Sequence, residues 1–116
     1  YLKHRTEFDK VWVAELDGNI AGAISIIHSE KNLSQIRWFY TEPKFRNLGI
    51  GKNLLNLAVN YAKSKNVSIF LWTLSNLDAA RNLYKRFGFV RSESKANQIW
   101  KKGLTEERWN LGRKLG

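Results

Sequence analysis

The 116-residue sequence predicts one mixed α/β (α+β) domain, and three patterns carry this prediction. Residues 11–41 contain strand-like apolar runs, whereas residues 49–65 and 77–87 repeat apolar side chains at helical spacing. Between the two helical patterns, residues 67–73 form a nearly unbroken apolar run, which is typical of a strand covered on both faces. A chain of this length supports one packed core and is too short for two domains of ordinary size.

The N-terminal half begins with a predicted β-hairpin. Val11–Leu16 and Ile20–His28 are the two strands, and Asp17–Asn19 is the turn signal between them. After a polar break, Leu33–Thr41 is again strand-like. Pro43 should end the ladder of this third strand, because proline has no backbone N–H to donate.

Two helices are predicted next. The first runs from Gly49 to Lys65 and stops at Asn66; its apolar stripe is Ile50, Leu54, Leu57, Ala58, Tyr61 and Ala62. The second begins at a capping box of Ser75 and Asp78 and ends at Gly88. Its stripe is Leu77, Ala80, Leu83, Tyr84 and Phe87.

The C-terminal part contains weaker signals. Phe89–Val90 and Gln98–Lys101 are short strand candidates, separated by a generic loop at Ser92–Asn97. Thr105–Glu107 is predicted to begin a frayed final turn or helix. No internal repeat, linker or domain boundary is visible, so residues 1–116 are interpreted as a single domain.

Composition excludes several function classes. The absence of cysteine excludes disulfides, thiolate metal ligands and a cysteine nucleophile, and two histidines alone do not complete a typical metal site, so no metal is predicted. No run approaches the roughly 20 apolar residues of a membrane helix, and the N-terminus lacks the apolar stretch of a signal peptide. The sequence therefore predicts a cytoplasmic protein without a membrane partner. Because it begins at Tyr1 and contains no methionine, we expect N-terminal elements to be missing.

The formal net charge of +10 favours a polyanionic partner, which includes nucleic acid, an acidic surface or a phosphate-rich cofactor. The basic residues are spread along the chain, a distribution that is also typical of solvated faces. One interpretation is a basic nucleic-acid-binding module that stacks bases on Trp38, Phe39 or Tyr40, although such aromatics more often belong to a core.

The segment Arg46-Asn47-Leu48-Gly49-Ile50-Gly51, followed by Lys52, leads from the third strand into the first helix. Two glycines there let a ligand approach the backbone N–H groups of a helix N-terminus, which favours an anion such as pyrophosphate. Taken alone, such a glycine pair is more often typical of a tight turn with close helix-to-sheet packing. A Walker loop and a dinucleotide fingerprint are both excluded, since neither glycine pattern is complete.

Arg-x-x-Gly-x-Gly at residues 46–51, with Pro43 three residues before the arginine, resembles the acetyl-CoA loop of the GNAT superfamily of N-acetyltransferases. A second GNAT-like element, residues 79–89, follows at the spacing of the family and contains Tyr84. The resemblance covers about residues 11–103. Residues 71–73 and 104–109 also resemble GNAT domains fused to MarR-type regulators.

The resemblance implies a mostly antiparallel, twisted sheet with a splayed central pair and flanking helices. It also implies acetyl transfer from the cosubstrate acetyl-CoA to an amine acceptor, a small molecule or a protein, by direct attack in a ternary complex. The general acid would be Tyr84. The coenzyme-binding residues would be Phe39, Tyr40, Thr41, Arg46, Asn47, Leu48, Gly49, Ile50, Gly51, Lys52 and Asn76.

Several alternatives stay open at this point. The general base has no assignment, because the family's glutamate position is Gln35 here; Glu15, His28, Glu30 and Glu42 are candidates by chemistry only. Asn76 either serves the pantetheine arm or caps the second helix. The chain is either catalytic or an acetyl-CoA sensor, which would contact nucleic acid through a fused DNA-binding domain, and a homodimer is also compatible with the sequence.

Overall fold

The computed structural model describes residues 9–45, 47–96 and 104–112. The elements are β1 (Lys10–Leu16), β2 (Asn19–Glu30), β3 (Leu33–Thr41), a 3-10 turn (Pro43–Phe45), α1 (Ile50–Ser64), β4 (Ser68–Leu74), α2 (Asp78–Arg86), β5 (Val90–Ala96) and β6 (Thr105–Leu111). The predicted order of three strands, helix, strand, helix and strands is confirmed. Over the described strands, the sheet order is β1-β2-β3-β4-β6-β5. The chain divides into two compact units, one up to Ile69 and one from Phe70 to Gly112.

The first unit contains an antiparallel meander of β1, β2 and β3. Asp17 and Gly18 both have positive φ, 52° and 79°, which matches the right-handed twist of a two-residue hairpin. The predicted hairpin is thereby confirmed. Pro43 opens the short 3-10 turn directly after β3, in agreement with its predicted role.

Helix α1 packs against all three strands of this meander. Its buried residues are Leu54, Leu55, Ala58, Val59 and Ala62. The predicted stripe is wrong at Leu57, which is 46% exposed, because the face in contact with the sheet includes Leu55 and Val59 instead. Asn66 has a φ of 55° just after the helix, so the predicted C-terminal stop is confirmed.

The second unit contains most of β4, helix α2 and the antiparallel pair β5–β6. Helix α2 begins at Asp78 with Leu77 as N-cap, and no side chain caps it, so the predicted capping box is wrong. The Ser75 hydroxyl instead accepts the N–H of Thr105 at 3.1 Å, and the Ser75 N–H donates to the Thr105 carbonyl at 2.9 Å. Ser75 therefore anchors β6.

Two C-terminal predictions need correction. Thr105–Glu107 begins a strand and not a helix, because Glu107 and Trp109 alternate into the interior with a strand's period of two. Residues 92–96 fall in the predicted loop but lie within β5, where residues 93–96 pair with β6 and Ser92 lies at a register shift. The strand predicted at Gln98–Lys101 lies outside the described residues. Leu77, predicted on the apolar stripe of α2, is 45% exposed.

Over the described ranges, neither helix is long and apolar enough to cross a membrane. Within the same ranges, no group of three or more histidine, aspartate or glutamate side chains is arranged to hold a metal ion.

Candidate functional site

The N-terminal turn of α1 contains the segment that the sequence predicts to bind an anion. Gly49 is the N-cap residue, with a left-handed φ of 78°, and the first helical bond runs from the Asn53 N–H to its carbonyl at 3.0 Å. The first four N–H groups of any helix lack an intrahelical acceptor. No side chain among the described residues caps this end, and the first turn contains no acidic residue. The positive end of the helix dipole is thus available to a ligand.

The two glycines of this turn have different roles. A Cβ on Gly49 would meet no atom of the described residues within 4 Å, but its positive φ would strain any L residue. A Cβ on Gly51 would lie 3.4 Å from the Thr41 hydroxyl oxygen and 3.8 Å from the Phe39 ring. Gly49 therefore permits the left-handed backbone of the turn, and Gly51 permits close packing of α1 against the end of β3.

The charge at this turn is basic where the structure describes it. Lys52 is exposed in the first turn of α1, and Asn47 and Leu48 are also exposed. Asn47 has a left-handed φ of 69°, as Gly49 has, so the segment before the helix is a turn of irregular backbone. Arg46, predicted to contact phosphate, lies outside the described residues.

A β-bulge interrupts β3 directly before the turn. Ala23 is opposite Tyr40 and Ser25 is opposite Arg37, so Trp38 and Phe39 together face a single residue of β2. Trp38 has a φ of 52°, an uncommon value for a bulky residue. The sequence contains no signal for this bulge. It changes the direction of the peptide groups at the positions predicted to bind the thioester.

Gly22 is a positioning residue that the sequence analysis missed. A Cβ there would lie 2.7 Å from the Tyr40 carbonyl oxygen, 3.2 Å from a Leu54 methyl and 3.3 Å from an Ile50 methyl. Real Cβ atoms do not approach backbone oxygen so closely. The glycine therefore permits α1, β2 and the end of β3 to meet. Its position inside an apolar strand pattern was the available signal.

A model of the acetyltransferase (GNAT) family matches residues 1–89 of this chain, including the turn and α1. The chain belongs to the GNAT family of acetyltransferases. Two curated relatives agree. An uncharacterized N-acetyltransferase of Methanocaldococcus jannaschii is 34% identical over 100 residues, which is 80% of this chain. The N-acetylaspartate synthetase of Rattus norvegicus is 35% identical over 80 residues, which is 67% of this chain.

Solved structures show the same GNAT fold. A candidate streptothricin acetyltransferase from Bacillus anthracis, solved in complex with acetyl coenzyme A, aligns with a TM-score of 0.78 and 28% identity. That alignment covers 90% of this chain and 63% of the Bacillus protein. This GNAT chain spans 44% of the archaeal relative and 27% of the rat relative.

Tyr84 of the GNAT chain lies in the second unit, on the buried face of α2. Its side chain is 6% exposed, and its ring packs against Phe89 and Trp109 at centroid distances of 5.8 and 6.3 Å. Burial raises the pKa of the phenol from 10.0 to about 12. The hydroxyl therefore stays protonated throughout the neutral range, which a proton donor requires.

A buried carboxylate organises the same unit. Glu107, 2% exposed, accepts hydrogen bonds from Arg91 Nη1 at 3.0 Å and from the Trp109 indole at 3.3 Å. Arg81 Nε also lies 3.0 Å from this carboxylate, but its N–H is not aimed at an acceptor, so we count the contact as Coulombic. This cluster joins α2, β5 and β6, and it fixes Trp109 against Tyr84.

The remaining predicted site residues are placed individually. Asn76 is exposed between β4 and α2, and the N-cap of α2 is Leu77, which excludes the capping interpretation. Gln35 is half-buried opposite Ile27 in the β2–β3 register. Glu42 follows Thr41 directly, is half-buried, and donates its N–H to the Ala21 carbonyl at 2.7 Å.

The other three candidates for the base are exposed on the meander: Glu15 on β1, and His28 and Glu30 near the end of β2. The His28 N–H donates to the Asp9 carboxylate at 2.7 Å. Of the described candidates for the base, Glu42 is the one next to Thr41, whose hydroxyl lies close to Gly51 in the first turn of α1.

Proposed function

We propose that this GNAT chain transfers the acetyl group of acetyl-CoA to a primary amine by direct attack in a ternary complex. The observation that carries the proposal is the N-terminus of α1, which presents backbone donors beside Gly49 with no capping side chain. Anions bind such helix ends because the N–H groups and the dipole act together. The diphosphate of coenzyme A is an anion of this kind.

The coenzyme would be held mainly by backbone. The N–H groups of residues 48–52 would bind the pyrophosphate, with charge from Lys52 and Arg46 and a further contact from Asn47. The bulged segment Phe39–Thr41 would direct N–H groups at the thioester oxygen, where negative charge develops. Asn76 would contact the pantetheine arm. The absence of acidic side chains in the first turn of α1 supports this assignment.

The reaction needs no acylated residue. The acceptor nitrogen attacks the thioester carbon, the carbon–sulfur bond breaks, and the nitrogen loses a proton while the leaving thiolate gains one. Tyr84 would be the donor to the leaving thiolate. A donor must itself be protonated at neutral pH, and the raised pKa of the Tyr84 phenol meets that requirement.

The same pKa limits how Tyr84 acts. A thiol has a reference pKa of about 8.5, so complete transfer from a phenol of pKa about 12 is uphill by roughly 3.5 units. We therefore expect Tyr84 to donate a hydrogen bond that strengthens as charge builds on the sulfur, with solvent supplying the proton in the end.

The acceptor class is broader than any one relative. The relatives are described as acting on streptothricin or as synthesising N-acetylaspartate, and both descriptions belong to those proteins. The proposal for this chain is a primary amine, and the general base is left to a water molecule or to Glu42.

Binding of the coenzyme can be tested by thermal unfolding with increasing acetyl-CoA. A ligand at 100 times its Kd stabilises the folded state by about 2.7 kcal/mol, enough to raise the Tm of a chain of this size by roughly 10 °C. Lys52→Glu should weaken binding about tenfold or more, because it puts negative charge beside the phosphates. Lys31→Glu, in the exposed β2–β3 turn, makes the same change in net charge and should bind normally. No saturable shift would refute the proposal.

Turnover is tested by thiol release over a panel of amines that includes polyamines, aminoglycosides and N-terminal peptides. With an amine that is acetylated, Tyr84→Phe should lower kcat about ten- to a hundredfold and leave the Kd for acetyl-CoA unchanged, because one transition-state hydrogen bond is lost. An unchanged rate at every pH would exclude this role of Tyr84. Coenzyme binding without turnover on any amine would indicate a sensor instead of an enzyme.

A further inference from the structure

The second unit contains a cavity of about 200 Å³ lined by Trp72, Thr73 and Leu74 of β4 and by Glu106 of β6. Lys95 of β5 contacts two of these lining residues. Its ammonium nitrogen lies 4.8 Å from the centroid of the Trp72 ring and 3.7 Å from a carboxylate oxygen of Glu106. An ammonium group of the protein itself is thus held between an aromatic face and a carboxylate.

We propose that this cavity, the Trp72–Glu106 pocket, binds the primary ammonium group of a small alkylamine, and that Lys95 competes with such a ligand for contacts with Trp72 and Glu106. An aromatic face attracts a cation through its quadrupole, and a carboxylate adds charge and hydrogen-bond acceptors. Both features surround the Lys95 ammonium group. The Lys95 contacts therefore show that Trp72 and Glu106 can bind one primary ammonium group together.

Lys95 is more exposed to solvent than the two pocket residues that it contacts. The Lys95 side chain is 62% exposed, whereas that of Glu106 is 34% exposed and Trp72 is half-buried. Ion pairs and cation–π contacts at exposed positions each contribute only up to about 1 kcal/mol, so a free amine can compete for these contacts. The walls belong to two strands and do not depend on the lysine for their position.

A purely structural interpretation makes a different prediction. Lys95 is opposite Glu106 in the β5–β6 register, and such a cross-strand pair stabilises a sheet slightly. If this were its whole role, replacing Lys95 would lower stability and would create no affinity for amines. The contact with Trp72 is the feature that a simple cross-strand pair does not need.

The net charge of +10 opposes the binding of a cation, so the local carboxylate must carry the attraction. At physiological ionic strength the screening length is about 8 Å, which limits the repulsion to nearby lysines. Lys95 is the described lysine that contacts the pocket residues. Its displacement or removal therefore leaves the Glu106 carboxylate without this ion pair.

If the bound amine is the acetyl acceptor, this inference rests on the proposed function. The Glu106 carboxylate would then favour simple alkylamines over amines that carry an acidic group of their own. Binding of the ammonium group itself needs no acetyl-CoA. The experiment below is therefore done without the coenzyme, and coenzyme binding is measured separately on the same variants.

The probe is n-butylammonium chloride, titrated at constant ionic strength while the indole signal of Trp72 is followed by NMR. Trp72→Leu identifies that signal by its loss. Lys95→Ala should bind the probe about three- to thirtyfold more tightly than the wild type, because the competing ammonium group is gone. Lys85→Ala removes the same charge from an exposed position of α2 and should bind like the wild type.

Glu106→Gln combined with Lys95→Ala should abolish this gain while the circular dichroism of the chain stays native. The proposal is wrong if Lys95→Ala gains no affinity over Lys85→Ala, or if the gain survives the loss of the Glu106 charge. Failure to bind acetyl-CoA with intact amine binding would refute the transferase proposal alone. The reverse result would refute the pocket alone.

Discussion

At the scale of single residues, Tyr84 connects burial with acid–base behaviour. Its phenol is packed against two aromatic rings, and burial raises its pKa from 10.0 to about 12. The unfolded chain loses this proton near the ordinary pKa, whereas the folded chain keeps it for about two further units. Folding is therefore linked to protons at alkaline pH.

This linkage predicts a stability difference between the wild type and Tyr84→Phe. The contribution is complete well below pH 10 and is lost as the pH rises through about 12; the shift of about two units corresponds to roughly 3 kcal/mol, of which the larger part is lost by pH 11.5. Tyr84→Phe should lack this loss. Urea unfolding at pH 9 and pH 11.5 measures it, with Tyr40→Phe as the control at an exposed position. Equal pH dependence in both variants would contradict the assigned burial effect.

The roles of individual residues were predictable where they depended on local sequence pattern. Gly49 and Gly51 were identified from spacing, and the structure assigns them to a positive φ and a close contact. Gly22 was missed, because the closeness of the Tyr40 carbonyl depends on packing between strands distant in sequence. Glu107 was missed as a buried residue, since glutamate is almost never buried unless its partners, here Arg81 and Arg91, come together in space.

At the scale of elements, the strands and helices with strong periodicity were predicted correctly, and the weak ones were not. β6 was interpreted as a helix start because Thr105 and two glutamates are typical of a first turn. The strand pattern of β6 is the alternation that places Glu107 and Trp109 on one buried face. The sequence hides this pattern, because a buried glutamate is expected only when its ion-pair partners are known. The bulge at Trp38 has no local signal, because it arises from the register of β2 and β3.

Gly22 gives a prediction for the contact of α1 with the meander. Gly22→Ala places a methyl group 2.7 Å from the Tyr40 carbonyl oxygen, so β3 or α1 must shift. We expect a loss of about 1–3 kcal/mol in the free energy of unfolding and weaker binding of acetyl-CoA, because the displaced elements form the proposed site. Denaturant unfolding and calorimetric titration measure the two effects.

Gly112→Ala is the matched control for this variant. A Cβ at Gly112 would meet no atom of the described part of the chain within 4 Å, and the φ of Gly112 is not in the left-handed region, so the stability of Gly112→Ala should change by less than about 0.5 kcal/mol. Equal stability of the two alanine variants would show that the meander adjusts without cost.

Glu107 gives the corresponding prediction for the second unit. Removing one partner from a buried ion-pair cluster typically costs about 3–5 kcal/mol, and the partial exposure of both arginines should bring the cost of Glu107→Ala to about 2–4 kcal/mol. Glu93→Ala changes an exposed glutamate of β5 and should cost little. Denaturant midpoints for the two variants measure the difference, and similar midpoints would show that the cluster is dispensable.

At the scale of the whole molecule, the sequence predicted the family through two motifs at the correct spacing, and the family model confirms it. The single-domain interpretation, the missing N-terminal elements and the likeness to MarR-fused domains stay predictions. A net charge of +10 acts over the whole chain and is shared by the transferase and the nucleic-acid interpretations. The net charge therefore does not distinguish the two interpretations, but the dependence of binding on salt concentration does.

The last prediction uses this dependence. Binding of duplex DNA that relied on Z phosphate contacts would fall with a slope of about −0.9Z in log K against log salt, so six contacts would cost a factor of roughly 10³ between 50 and 200 mM. In the proposed site, acetyl-CoA would be held mainly by backbone N–H groups, so we expect its thermal shift to persist at 0.5 M NaCl. Fluorescence anisotropy with labelled DNA and thermal unfolding with acetyl-CoA measure the two across the same salt series. A thermal shift that disappears in parallel with DNA binding would show that general charge, and not the N-terminus of α1, holds the coenzyme.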